Sequence, residues 1–229
     1  MVLTDGDIIK VLHQIIRPIL QYAMDNKVLS SIPDIKVPAQ TRQKKTVSNA
    51  GVKLATLYRA ILELYSDDGF YQALFLFALY GRRWNEIRTL KWSDIDFLSG
   101  TYTIRAENNK INDDQTYELA APIIVALQEI KDTKLGLVFK SPVTGKELYS
   151  PKKQLAHVRE KSEIPQLTMH YFRHILVSAM GEAGTATTVL SASLGHTNLH
   201  TVNNFYLSAN HTKASSVANT AIEKITHKS

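Results

Sequence analysis

Cysteine is absent from the 229-residue chain. Its absence excludes a disulfide scaffold, thiolate-ligated zinc and thiol catalysis, and it fits a reducing compartment. Glycine is scarce, at 10 residues, and neither a glycine-rich phosphate loop nor a Gly-x-Ser-x-Gly elbow occurs. Nucleotide-driven and serine-hydrolase chemistry therefore lack their usual signatures. No apolar run approaches the roughly 18 residues of a membrane span. The longest, Tyr71 to Tyr80, has the length of a buried helix. Asp5 and Asp7 precede the first apolar stretch, which is unlike a secretory signal. A cytoplasmic chain without a membrane partner is expected. Acidic residues are in deficit, 21 against 27 lysines and arginines, which leaves a formal charge of +6 and an isoelectric point near 9.3. Such an excess suits a polyanionic partner but is weak evidence by itself.

What is present reads as globular: 44% hydrophobic and 21% charged residues. Ile8, Leu12, Ile15, Ile16, Ile19 and Leu20 recur at helical spacing over residues 8–23, with Pro18 as a kink. Pro33 and Pro38 stop regular structure. Residues 39–48 are polar and basic, a linker whose Arg42, Lys44 and Lys45 are candidates for following a phosphate backbone. A merely solvated linker accounts for them equally well. Helical patterns follow at 50–65, 68–80, 121–131, 151–161, 169–183 and 186–193, then in short pieces to 226. Residues 101–105 and 115–119 alternate as strands around a polar turn, so a β-hairpin with a long tip is predicted. The expected fold is mainly α with a small antiparallel β-sheet, divided into residues 1–45 and a larger domain at 46–229.

Three segments carry chemistry. The first is Gly81-Arg82-Arg83-Trp84-Asn85-Glu86-Ile87. Arg83 and Glu86 are spaced to pair on a helical turn, which an ordinary surface ion pair would also explain. The second is Thr168-Met169-His170-Tyr171-Phe172-Arg173-His174. Phe172, Ile175, Leu176 and Ala179 form an apolar stripe there, and His170, Arg173 and His174 lie opposite. An arginine fork beside a histidine suits a phosphate; a solvated polar face is the plain alternative. The third is Leu194-Gly195-His196, followed by Phe205-Tyr206. A tyrosine is a nucleophile only where a base takes its proton, and most tyrosines simply pack. The pairs His170/His174 and His196/His200 have zinc-compatible spacing, but without an intervening Glu or any Cys no metal is expected.

Taken in order, these segments resemble the catalytic domain of tyrosine recombinases, the phage-integrase family. The family box Gly-x-Arg-x-x-Glu-Ile/Leu is met by Gly81, Arg83, Glu86 and Ile87. The box His-x-x-Arg-His is met by His170, Arg173 and His174, and Leu-Gly-His by Leu194, Gly195 and His196, the last 23 residues after Arg173. The family's hairpin lysine falls on Lys110 when Tyr117-Glu118-Leu119 is aligned with the closing strand. The resemblance spans roughly residues 48–226. It departs at two points. The position nine residues after His196 is Phe205, and Tyr206 is one further on. The N-terminal 1–45 segment would supply only the C-terminal part of the family's helical DNA-binding domain, which is about one hundred residues long, together with a basic linker.

The resemblance implies a site-specific DNA recombinase or integrase that works without metal, ATP or other cofactor. Its partner would be double-stranded DNA, on which a solution monomer assembles as a homotetramer. Tyr206 would form a 3′-phosphotyrosine and release a 5′-hydroxyl. Arg83, Arg173 and His196 would steady the phosphorane, His170 would accept the tyrosine proton and Lys110 would protonate the leaving oxygen. Glu86 would orient an arginine or the histidine, while Arg42, Lys44, Lys45 and Arg82 would contact DNA. The apolar stripe Val217, Ala218, Ala221, Ile222 and Ile225 would dock on a neighbouring protomer. Two other readings stay open: a type IB-like topoisomerase, and a catalytically inactive DNA-binding relative with Phe205 at the usual nucleophile position.

Overall fold

The computed structural model describes residues 11–33, 47–109, 112–130 and 135–195. Backbone proximity divides the chain into two compact units, Met1–Gln43 and Lys44–Ser229. In the first, a wide π-type turn at Leu12–Ile16 runs into helix α1, Arg17–Asp25. Pro18 sits in the first turn of α1 instead of breaking it. Its missing N–H removes one donor from the upstream ladder, and the turn widens there. Among the described residues of this unit none is buried; Ile19, Tyr22 and Val28 are exposed.

The larger unit opens with α2, Ala50–Leu64, and α3, Gly69–Leu79. Helix α3 (Gly-Phe-Tyr-Gln-Ala-Leu-Phe-Leu-Phe-Ala-Leu) is apolar nearly all round and is buried accordingly. The Asp68 side chain accepts the Tyr71 N–H at 3.1 Å and caps its start. A short helix α4, Trp84–Arg88, follows the Gly81–Arg83 turn. Strands β1 (Ile95–Asp96), β2 (Thr101–Ile104) and β3 (Gln115–Glu118) form an antiparallel sheet in that order. Tyr102 pairs with both Ile95 and Tyr117. The hairpin predicted from alternation is therefore present, extended by β1, whose two residues are too short to show a period. The Asn109 side chain donates to the Arg105 and Asp113 carbonyls at 3.0 and 2.7 Å and closes the neck of the hairpin tip.

Helices α5 (Ala121–Glu129), α6 (Lys152–Ser162), α7 (Met169–Glu182) and α8 (Thr187–Ser193) complete the described fold. Gly69 lets α3 and α5 approach closely, since a Cβ there would lie 2.6 Å from the Ala126 carbonyl. Helix α2 lies against α6 and α7. The Glu182 carboxylate at the end of α7 accepts the backbone N–H groups of Ala50 and Gly51, each at 3.0 Å. A distant carboxylate thus caps α2, whose first donors have no partner within the helix. Aromatic side chains join the layers: Phe77 meets Tyr102 of the sheet edge-on at 5.1 Å and Phe139 at 5.9 Å, and Phe75 lies 6.1 Å from Phe172 of α7. A second apolar cluster of Val177, Leu190 and Leu194 seats α8 on α7.

Candidate active site

Arg83 is the residue before α4, and Glu86 lies one turn into it. The Glu86 carboxylate accepts the Arg83 backbone N–H at 2.8 Å and its guanidinium at 2.6 Å. Glu86 is 2% exposed, whereas the Arg83 side chain keeps 22% exposure. The pair is therefore no ordinary surface ion pair. A buried carboxylate holds both the backbone and the head of a partly exposed arginine, so its orientation is set before any ligand arrives.

Helix α7 supplies the second group. Thr168 caps it by accepting the Tyr171 N–H at 3.1 Å. His170 in the first turn is exposed and meets the His174 ring edge-on at 4.6 Å. The remainder of the face opposite the apolar stripe is not solvated. Arg173 is 1% exposed, with the Gly81 turn and the end of α8 against it, and His174 is 6% exposed. Helical periodicity places residues on a face but does not say what packs against it.

Arg173 draws the segments together. Its two terminal nitrogens donate to the Gly81 and Leu194 carbonyls, each at 2.7 Å. One buried guanidinium thereby links the turn that precedes Arg83 to the turn that leads to His196. Gly81 adopts φ +87°, and a Cβ there would stand 2.9 Å from Leu176. Gly195 has φ +60°, the left-handed conformation common just past a helix end. A Cβ on Gly195 would overlap the Gln115 amide oxygen and lie 2.5 Å from the Tyr117 hydroxyl. The Leu194–Gly195 turn is thus pressed against β3 of the hairpin.

Gly195→Ala is expected to lower stability by about 2 kcal/mol, the backbone strain adding to the displacement of β3. Gly100→Ala is the control: Gly100 has φ +66° but no atom within 4 Å of its Cβ position, so it reports the backbone strain alone. Equal melting temperatures for the two variants would show that the packing against β3 is unimportant.

Arg82, which the sequence suggests as a DNA contact, is 3% exposed. Its guanidinium donates to the Ser193 carbonyl and lies flat over the Tyr117 ring, 3.7 Å from the centroid. The apolar helix before it continues into buried backbone, so the first cation after that helix is drawn inward. Nearby Tyr102 is buried, and burial pushes its hydroxyl up to about 12 although the Arg82 charge pulls the other way. At 3% exposure Tyr102 is closed off from an incoming phosphate.

Lys110, His196, Phe205, Tyr206, Arg42, Lys44 and Lys45 lie outside the described residues. Among the described residues no group of three or more His, Asp or Glu could hold a metal ion, and no helix is long and apolar enough to cross a membrane. The groove over the sheet is lined by Asp94, Asp96, Glu107 and Asp114 with Arg105, an acidic surface that would repel a polyanion. The partly exposed arginine and the exposed histidine lie instead at the start of α4 and in the first turn of α7.

The fold has relatives. A XerA recombinase superposes with a TM-score of 0.59 at 19% identity, covering 96% of this chain and 84% of that one. A XerH site-specific recombinase bound to difH substrate, in a pre-cleavage complex, gives 0.67 at 18%, covering 94% and 65%. The catalytic domain of bacteriophage HP1 integrase gives 0.52 at 17%, covering 76% and 95%. No protein of curated function matches the sequence. The phage integrase family model matches residues 53–213, well over half of the chain and all three chemistry-bearing segments. The chain belongs to the phage integrase family, the site-specific tyrosine recombinases.

Proposed function

We propose that this chain binds double-stranded DNA as a homotetramer and exchanges strands at specific sites through a 3′-phosphotyrosine on Tyr206, with no metal or nucleotide taking part. The observation that supports this reading is the junction around Arg173: one buried guanidinium joins the Gly81 turn, which leads to Arg83, to the Leu194 turn, which leads to His196. Related recombinases solved in complex with DNA and the charge of +6 support the same partner.

The steps balance without a cofactor. The Tyr206 oxygen attacks the scissile phosphorus; the new O–P bond forms as the bond to the 5′-oxygen breaks. His170 takes the phenol proton, and Lys110 gives a proton to the departing 5′-oxygen. Attack by a partner strand's 5′-hydroxyl then reverses both transfers and frees the tyrosine. The phosphorane carries more negative charge than the diester, so fixed cations lower its energy selectively. Arg83, held by Glu86, offers its fork. Arg173 offers the charge of its buried guanidinium, and His196 adds a donor. Arg42, Lys44 and Lys45 follow the DNA backbone, and residues 1–45 serve as the helical part of a DNA clamp with its linker.

A nicked suicide substrate tests this reading, because the released fragment diffuses away and traps a covalent adduct. Wild type is expected to give the adduct on a denaturing gel. Lys110→Ala should lose it on an ordinary phosphodiester by about 100-fold or more. A 5′-bridging phosphorothioate should restore it, since a thiolate leaves without a proton. Failure of that rescue, or equal rescue of Arg83→Ala, would remove Lys110 as the acid. A second reading rests on Phe205 at the family's usual nucleophile spacing: a relative that binds DNA without cutting it. A gel shift with no adduct is the mark of that reading.

A further inference from the structure

We infer that Arg82 is a positioning residue for strand cleavage, holding the β2–β3 hairpin against the turn that leads to His196; the inference rests on the cleavage reading above. Arg82 is 3% exposed, and among the described residues no carboxylate forms an ion pair with it. Its Nε is buried and has no hydrogen-bond partner among them. A buried cation with no ion-pair partner among the described residues is a poor stabiliser, and an apolar side chain of similar size would often serve the fold as well. Its contacts indicate a different role.

The guanidinium donates to the carbonyl of Ser193, the last residue of α8, and lies over Tyr117 in the middle of β3. Tyr117 in turn donates to Gln115 at 2.9 Å, and these two side chains form the wall on which Gly195 rests. Three chemistry-bearing stretches therefore converge on Arg82. Arg83 is its chain neighbour, Ser193 lies three residues before His196, and β3 is the strand returning from the tip that bears Lys110. Arg173 ties the first two stretches together, but the carbonyls it binds lie on Gly81 and Leu194 and not on the hairpin. Arg82 adds the hairpin. A planar guanidinium can stack on a ring and donate at its edge at once, whereas a lysine ammonium is a point charge that does one or the other. Without this clasp the hairpin shifts, and the proton donor on its tip moves away from the leaving oxygen.

The test is single-turnover adduct formation by full-length Arg82→Met, Arg82→Lys and Tyr117→Leu. Each is measured on nicked DNA with an ordinary linkage and with a 5′-bridging phosphorothioate, alongside melting and gel-shift measurements. Arg82→Met is expected to lose about 100-fold on the ordinary linkage, the scale of a small misplacement of a catalytic group, yet to stay within about tenfold of wild type on the phosphorothioate. Arg82→Lys should fall between, and Tyr117→Leu should repeat the pattern, with the Arg82→Met/Tyr117→Leu double variant no worse than either. Equal losses on both linkages would overturn the inference, because general damage or lost phosphate stabilisation is not cured by a better leaving group. Ordinary-linkage cleavage within about threefold of wild type by folded Arg82→Met and Tyr117→Leu would also overturn it. If Arg82→Met does not fold, Arg82→Lys and Tyr117→Leu carry the same comparison. If wild type forms no adduct on either linkage, the cleavage reading has failed and the inference falls with it.

Discussion

Tyr206→Phe is expected to abolish the covalent protein–DNA adduct on a nicked substrate, and Phe205→Tyr to change it little. Phenylalanine has no hydroxyl and forms no phosphotyrosine, so attack from this region must come from Tyr206. The family's usual spacing from His196 nevertheless points at position 205. On a helix a shift of one residue turns a side chain by roughly 100°. Tyr206 can therefore serve only if the segment from His196 carries an extra residue as a bulge or a longer loop. Thr197 to Asn204 is polar, with Asn198, Asn203 and Asn204, a composition that tolerates such an irregularity. Both variants should bind DNA like wild type in a gel shift. An adduct formed by Phe205→Tyr but not by the parent protein would sink the assignment and make position 205 the true site. An adduct surviving in Tyr206→Phe would place the nucleophile elsewhere altogether.

Arg173→Ala is expected to reduce cleavage by about 100-fold or more, the scale of losing a donor that acts mainly in the transition state. It should also lower stability by about 3 kcal/mol, because its removal leaves the buried carbonyls of Gly81 and Leu194 without their charged donor. For a chain of this size that is a fall in melting temperature of roughly 10 °C. From the sequence alone this substitution would be expected to affect chemistry only; the buried clamp adds the stability loss. Arg173→Lys separates the two effects. It keeps the charge but does not span two carbonyls, so it should recover part of the stability and little of the activity. Cleavage and melting are measured together. An Arg173→Ala protein that melts like wild type would contradict the clamp, and one that still cleaves near the wild-type rate would contradict the catalytic role.

Much of this protein was legible in its sequence because the signals are local. The helical periods predicted at 50–65, 68–80 and 169–183 match α2, α3 and α7 to within a residue or two at each end. Those periods come from side chains that repeat on one face, which is a property of consecutive residues. The alternation over 101–105 and 115–119 likewise marks the hairpin whose strands are Thr101–Ile104 and Gln115–Glu118. The three chemistry-bearing motifs are also local, and their order along the chain led to the family.

The tertiary structure decided which polar groups are inside. Arg82 and Arg83 are neighbours in sequence with the same side chain, yet the first is buried over Tyr117 while the second stays partly exposed on Glu86. No pattern within seven residues distinguishes them. The difference comes from β3 and the end of α8, which are far away in the chain and close in space. Arg173 shows the same dependence: its helix face was readable, but the Gly81 and Leu194 carbonyls that surround it arrive from 92 and 21 residues away. Burial of a polar group is set by whatever packs against it, and a buried charge persists only where those neighbours supply its hydrogen bonds. Periodicity and motif spacing record which residues share a face; the partners that cover that face are fixed by contacts distant in sequence, which only the folded chain contains.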